Sequence, residues 1–236
     1  MKLLPRDTFM SALLVQISLN CAICGTENKF INFVRCYNSR ENFPDLDLRP
    51  GGSSRHFFKY LVQECGECGY VSNKIDQADQ GISLIMKSKK YRSLQKNKRL
   101  VPLSVSFLKL SCIHEYLGDK YQAGIAALSA AWVLDDNCDI QSAVEARLRA
   151  ARLLLAVIRV LPDDKLLSSD TIKLKAVAID VLRRARLWSD AKYLSRSLLE
   201  LPVDSETRII GEFQEFLSER QNSGCYNISE ITQDIS

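Results

Sequence analysis

Histidine is scarce: His56 and His114 are the two in 236 residues, and no catalytic constellation stands out around either. Long apolar runs are lacking as well. No segment approaches the roughly 18–20 apolar residues that cross a bilayer. A dominant charge is also missing. The 32 basic and 28 acidic residues leave +4, too little by itself to argue for nucleic acid or an anionic membrane surface. Disorder across the whole chain is excluded by 46% hydrophobic and 25% charged residues, ordinary globular values. The length suits one large domain or two modest ones.

The N-terminus carries Lys2 and Arg6 ahead of an apolar stretch from Phe9 to Ile17, as a short signal peptide does. Ser11 and Gln16 interrupt that stretch, Asp7 adjoins it, and no small-x-small cleavage site follows. The reading is a cytoplasmic protein.

Cysteine is the residue in excess. There are eight, and four fall in two pairs, Cys21-Ala22-Ile23-Cys24-Gly25 and Cys65-Gly66-Glu67-Cys68-Gly69. A secreted disulfide scaffold is smaller and denser in cysteine. Paired CxxC in a mid-sized chain reads first as metal and second as redox, and the redox reading lacks its thioredoxin-like βαβ setting. Each pair can form a knuckle in which two thiolates converge on one ion while the following glycine lets the backbone turn beneath them. Four thiolates complete the tetrahedron that Zn2+ prefers and leave no open position, so Cys21, Cys24, Cys65 and Cys68 are expected to hold one structural zinc. The 40 residues between the pairs exceed the common spacing, and an inserted hairpin and loop would account for them. Cys36 could compete as a ligand but reads as a small buried side chain in a strand. Cys112 and Cys138 read as core, and Cys225 lies in a loose tail.

Residues 1–76 read as a β-rich head. Leu13 to Leu19 and Phe30 to Tyr37 are strand-like, Phe43 to Ser54 is a loop, and Phe57 to Gln63 is a further strand candidate. Residues 77–221 read as antiparallel helical pairs, with apolar residues three and four apart and Pro102, Gly118, Pro162 and Pro202 as punctuation. Residues 222–236 read as a flexible polar tail. The fold class is α+β, predominantly α. One helical pair carries spacings of a tetratricopeptide-like unit: Phe107, Leu110, Gly118, Ala123 and Ala130. Ala191 lies 68 residues beyond Ala123, twice the period of about 34. There Arg186 replaces the turn glycine and Leu198 the second small residue. Cys138 to Leu161 reads as one uninterrupted helix. A plain antiparallel bundle is the alternative.

Three weaker features remain. Asp45 and Asp47 could chelate a cation or act as an acid/base pair, but an ion pair with Arg49 or Arg55 that orders the loop is the better reading. Lys87, Lys89, Lys90, Arg92, Lys96, Lys98 and Arg99 form a basic run, either a solvated helix face or a contact for phosphates. The arginines at 147, 149, 152, 183, 184 and 186 suit exposed helix flanks and add to a basic surface.

The CxxCG pair, the segment DLDLRPGGSSR and then YLVQECGECGYVS together resemble a bacterial family, domain of unknown function 2225. The resemblance covers residues 19 to about 75, and the helices to about 202 in general layout. It implies a zinc-ribbon-like head followed by helical repeats, with no activity to carry over. The family's knuckles usually read CPxCG; Ala22 and Gly66 stand in place of the prolines, which implies looser turns. The expected role is a non-enzymatic zinc-binding interaction or scaffold protein that binds a protein or peptide through its helices. The alternative is a nucleic-acid-binding module using Lys87–Arg99, and a thiol-redox enzyme comes third.

Overall fold

The computed structural model describes residues 13–35 and 43–232; the reading of Cys36 falls outside them. Two short antiparallel hairpins open the chain. β1 (Leu13–Asn20) pairs with β2 (Glu27–Arg35), Asn20 opposite Glu27, and β3 (Gln63–Glu64) pairs with β4 (Val71–Ser72). Among its described residues, the insert between the cysteine pairs holds β2, the second strand of the first hairpin, and β3, the first strand of the second. The strand expected over Phe57–Gln63 is instead a 3-10 turn, Phe58–Leu61, followed by β3. The turn draws Phe58 inward, onto Phe107 (5.8 Å between ring centroids) and edge-on to Trp132 (6.1 Å).

The rest is helical: α1 (Ile82–Lys87), α2 (Lys89–Gln95), α3 (Pro102–Tyr116), α4 (Lys120–Asp136), α5 (Ile140–Ile158), α6 (Ser169–Arg184), α7 (Trp188–Leu199), α8 (Ser205–Glu219) and α9 (Ile228–Thr232). The class is α+β, predominantly α, as the sequence predicts. Helix α4 is buried on almost every side because its residues are small or apolar all round, with Ala123, Ala126, Ala127, Ala130 and Ala131 between Leu128, Trp132 and Leu134. Gly124 sets its approach to α5: a Cβ there would lie 2.6 Å from Leu154 Cδ2. Cys21, Cys65, Tyr70, Val71 and Ile75 share one apolar cluster with Phe107, Leu110 and the helices beyond. The boundary at 76/77 thus separates two kinds of secondary structure but not two cores.

Four helix ends share one capping geometry. Gly118, Cys138, Arg186 and Gln221 all adopt positive φ, at 85°, 58°, 63° and 50°. At each, the next residue's N–H reaches back five positions: Asp119 to His114, Asp139 to Leu134, Leu187 to Leu182 and Asn222 to Leu217, all at 2.9–3.0 Å. These are Schellman caps, which satisfy carbonyls that a helix end leaves open. Arg186 therefore takes the turn-glycine role despite its side chain, and α5 runs uninterrupted between the two related turns. A non-glycine residue at positive φ is strained. Cys138→Gly is predicted to stabilise the protein by about 0.5–1 kcal/mol, read as a higher urea midpoint at unchanged slope. The same position corrects one reading: Cys138 is exposed in the α4–α5 turn and is not a core residue.

The segment read as a flexible tail is held in place as far as Thr232. Asn227 bridges to Asp45, Leu46 N–H donates to the Tyr226 carbonyl (3.0 Å), Ile228 N–H donates to the Pro44 carbonyl (3.0 Å), and Ile231 is buried. Its apolar residues and backbone donors find partners in a loop about 180 positions earlier, which local composition does not reveal.

Candidate metal centre

Each cysteine pair is the turn of a hairpin, Cys21 to Thr26 between β1 and β2 and Cys65 to Tyr70 between β3 and β4. The two turns repeat each other bond for bond. Cys21 N–H donates to Thr26 O (2.9 Å) and Cys65 N–H to Tyr70 O (2.8 Å). Gly25 N–H donates to Cys21 O (2.8 Å) and Gly69 N–H to Cys65 O (2.9 Å). Gly25 and Gly69 sit at φ 76° and 72°, the left-handed conformation that glycine adopts without a Cβ penalty.

The two turns face one another. Cys21 Sγ lies 3.6 Å from Cys68 Sγ, Cys24 Sγ lies 3.6 Å from Cys65 Sγ, and all four sulfurs fall within 4.8 Å of one another. Among the described residues this is the one group of three or more cysteine, histidine or acidic side chains so placed. Four cysteines in this arrangement can hold a metal ion. Cys24 is drawn down to about 6 by hydrogen bonds from Thr26, side chain and then backbone, whereas burial pushes Cys21 and Cys68 up. A cation among the sulfurs favours the thiolate at all four.

Asn28 ties the turns together. Its amide donates to Thr26 O (2.8 Å) and Cys65 Sγ (3.5 Å), and its Oδ1 accepts from Gly66 N–H (3.1 Å). Sequence reasoning misses Asn28, because an asparagine in a polar strand carries no signal until the hairpins meet. Ala22 N–H likewise donates to Ile75 O (2.9 Å). Ala22 and Gly66 are therefore not loosened turns. Both use an N–H that proline lacks.

The centre rests directly on the helices. Tyr91 of α2, fully buried, donates its hydroxyl to Gly69 O (2.8 Å). Glu64, next to Cys65, receives Lys109 Nζ (2.6 Å) and Ser106 Oγ (2.5 Å) from α3, with Lys109 fully buried and 5.2 Å above the Tyr91 ring. The basic side chains of the run itself, Lys87 to Arg99, are exposed. Lys87, Lys89, Arg92 and Lys96 line one shallow surface groove, and Lys90 pairs with Glu115 (3.3 Å). His114 is half-buried on α3, and that burial lowers the pKa of its imidazole. His56 lies in the first 3-10 turn. Cys112 is buried core, as expected.

Asp45 and Asp47 are far from the sulfurs in role. Asp45 pairs with Arg55, as the ion-pair reading predicts, and also receives Cys225 Sγ (3.3 Å). Asp47 reaches much further. Its Oδ2 accepts from Trp132 Nε1 (2.7 Å) on α4 and Arg184 Nη1 (3.0 Å) on α6, with Arg147 Nη2 of α5 at 3.9 Å. Arg147 and Arg184 converge on Asp135 at 2.5 and 2.7 Å, and Arg49 pairs with Asp136. Burial would push Asp135 up, but the bonded Arg147 and the nearby Arg184 hold it below the usual carboxylate range. The arginines read as exposed flanks are thus mostly internal. Arg147, Arg183 and Arg184 are buried, Arg183 pairing with Asp180 (2.5 Å), while Arg149 and Arg152 bind Glu115 (2.7 and 2.5 Å). Among them, Arg186 and Arg152 are exposed. Helical spacing cannot distinguish a solvated arginine from one whose acid partner comes from a distant loop.

No helix among the described residues is long and apolar enough to cross a membrane. Compared with family models, curated proteins and solved structures, the chain finds no match.

Proposed function

We propose that the chain is a non-enzymatic, zinc-stabilised interaction protein of the cytoplasm, in which Cys21, Cys24, Cys65 and Cys68 hold one structural Zn2+. The observation that carries the metal reading is the convergence of four sulfurs from two matching turns. A tetrahedron with Zn–S bonds of ~2.3 Å places its sulfurs about 3.8 Å apart, close to the 3.6 Å pairs here. Four protein ligands leave no position for water or substrate, so the ion holds the two hairpins together and performs no chemistry. This arrangement of a zinc-ribbon-like head on stacked helical pairs is also what membership of domain of unknown function 2225 would imply.

The interaction role is supported by an apolar groove of about 890 Å3 between α4 and α6. Tyr121, Ile125 and Trp132 form one wall, Leu174 and Val177 the other. Its occupant, on this reading, is a peptide segment with one or two large apolar side chains, since the walls are apolar and Lys165, Lys173 and Asp170 at the edge can meet a polar backbone. Peptides selected from a random library on the intact protein should carry such anchors, and Ile125→Glu should weaken them at least tenfold. Selection of polar peptides, or binding indifferent to Ile125→Glu, removes the groove from the proposal. The second reading rests on the exposed cations of α1 and α2. Its mark is affinity for generic DNA or RNA that falls steeply with salt.

A further inference from the structure

The first hairpin has an open edge. β1 pairs with β2 on one side, and among the described residues no strand or backbone group pairs with its other side. The parity of the ladder says which groups stand there. Cys21 N–H donates to Thr26 O, so the register puts the hydrogen-bonded pairs at Leu19–Asn28, Ile17–Phe30 and Val15–Asn32. The residues between them, Leu14, Gln16, Ser18 and Asn20, turn their N–H and C=O groups outward, and all four are exposed.

An edge of this kind is normally blunted by charge or proline. β1 reads Leu-Leu-Val-Gln-Ile-Ser-Leu-Asn, with neither, and its one irregularity of register falls at the start, between Leu13 and Leu14. β2 differs: Glu27 and Lys29 stand on it, and it touches the 3-10 turn at Phe58–Leu61. Two strands alone make a marginal sheet. Here the half remote from the cysteines leaves Leu14, Val15 and Ile31 44%, 39% and 44% exposed.

The strand also complements itself. Laid antiparallel on a second copy about a two-fold axis at Ile17, Gln16 meets the partner's Ser18 and Leu14 meets the partner's Asn20. All four outward residues of each copy then fall at positions where a pair exchanges two hydrogen bonds. Between them Val15 meets the partner's Leu19 and Ile17 meets the partner's Ile17, on the face that also carries Phe30. A two-fold contact sets groups near its axis against their own copies, and like charges directly opposite repel. β1 brings no charge there.

We propose that the open edge of β1 is a dimer contact, in which two copies of this chain pair β1 with β1 antiparallel about Ile17 and merge their hairpins into one four-stranded sheet. Main-chain hydrogen bonds supply the affinity, as in other strand additions, and the apolar pairs at Val15, Ile17 and Leu19 fix the register. The inference rests neither on which metal the cysteines hold nor on what the apolar groove binds.

The test uses the full-length protein as purified, with its native metal. Sedimentation velocity over a range of concentrations is expected to show a species of twice the 26.7 kDa of one chain, growing with concentration. Over the same range, hydrogen exchange at the amides of Gln16 and Ser18 is expected to slow at least tenfold, while Ile17 and Leu19, already bonded to β2, change little. Ser18→Pro removes an outward N–H and leaves the ladder to β2 intact, a place on an edge strand that proline tolerates. It is expected to weaken the dimer at least tenfold while keeping the metal content and helical circular dichroism of the parent. Should that variant fail to fold, the exchange measurement on the parent decides alone. A monomer at every concentration would overturn the proposal. So would Gln16 and Ser18 amides that are protected independently of concentration, which would mean that the chain covers its own edge. A dimer undiminished in folded Ser18→Pro would place the contact elsewhere and overturn it too.

Discussion

Protein purified without added metal is expected to carry about one zinc per chain, and Cys65→Ser to lose both the zinc and the order of the two hairpins, residues 13–35 and 63–72. In small zinc modules, binding of a structural zinc contributes about 10–16 kcal/mol, because ligand binding and folding are one event. Strand pairing by itself does little to hold the hairpins. β3 and β4 are two residues each, and Leu14, Val15 and Ile31 of the first hairpin face solvent. A lone two-stranded hairpin is at best marginal in water. The loss also propagates. Once the second knuckle opens, Tyr91 gives up its acceptor at Gly69, and the buried ammonium of Lys109 is left without Glu64. If about 5 kcal/mol of the metal's contribution reaches the whole fold, the unfolding temperature falls by about 10–20 °C for a chain of this size. Far-ultraviolet circular dichroism should keep most of its helical signal, because α4 to α8 pack chiefly on one another in sequence, each against the next. Hydrogen exchange should accelerate first in β3, β4 and α2. Stoichiometric zinc retained in Cys65→Ser, or iron with visible absorbance in the parent protein, would rule out the assignment.

The second large effect is expected at a residue with no part in the metal site. Asp47→Ala should destabilise the protein by about 3–5 kcal/mol, measured by urea unfolding, because it leaves two buried guanidiniums short of a partner. Asp47 is fully buried and receives Trp132 Nε1, Arg184 and, through Oδ1, its own loop at Arg49 N–H (3.2 Å). Burial, with the like charge of Asp180, pushes its carboxyl above the usual range against the pull of Arg184 and Arg147. Asp47→Asn keeps the shape and one acceptor, so it should lose less than Asp47→Ala. Equal losses would point to packing as the source. A loss below about 1 kcal/mol in Asp47→Ala would mean that the arginines find other partners and that the loop is not a clamp.

The two predictions mark the two ways in which this chain joins distant segments. The cysteine clasp was visible in one dimension because its chemistry repeats at fixed short spacing: thiol, two residues, thiol, glycine. Each turn is local, so the positive φ at Gly25 and Gly69 followed from the same pattern. The helices were visible for a similar reason, since apolar period, proline and capping residues act within a few turns. Even Arg186, which breaks the glycine pattern, kept the turn that its neighbours dictate.

The ion network was not visible. Asp47 reads as one acid in a polar loop, and Arg147 and Arg184 as basic residues on helices with open faces. Their pairing spans 137 positions between Asp47 and Arg184, and nothing in local composition selects one partner among the chain's many acids and bases. The same holds for Asn28 beneath the cysteines, for Tyr91 within a run of lysines, and for the tail that returns to Asp45.

The sequence by itself determined the four metal-competent sulfurs, the predominance of helices and the order of strands before helices, because each depends on interactions between residues close in the chain. Only the tertiary structure decided that head and helices share one core, which arginines are internal, and where the C-terminal segment docks. Those outcomes depend on which buried charge and which open backbone group meet across long separations, and burial makes each such pairing strong while leaving no trace in the order of residues.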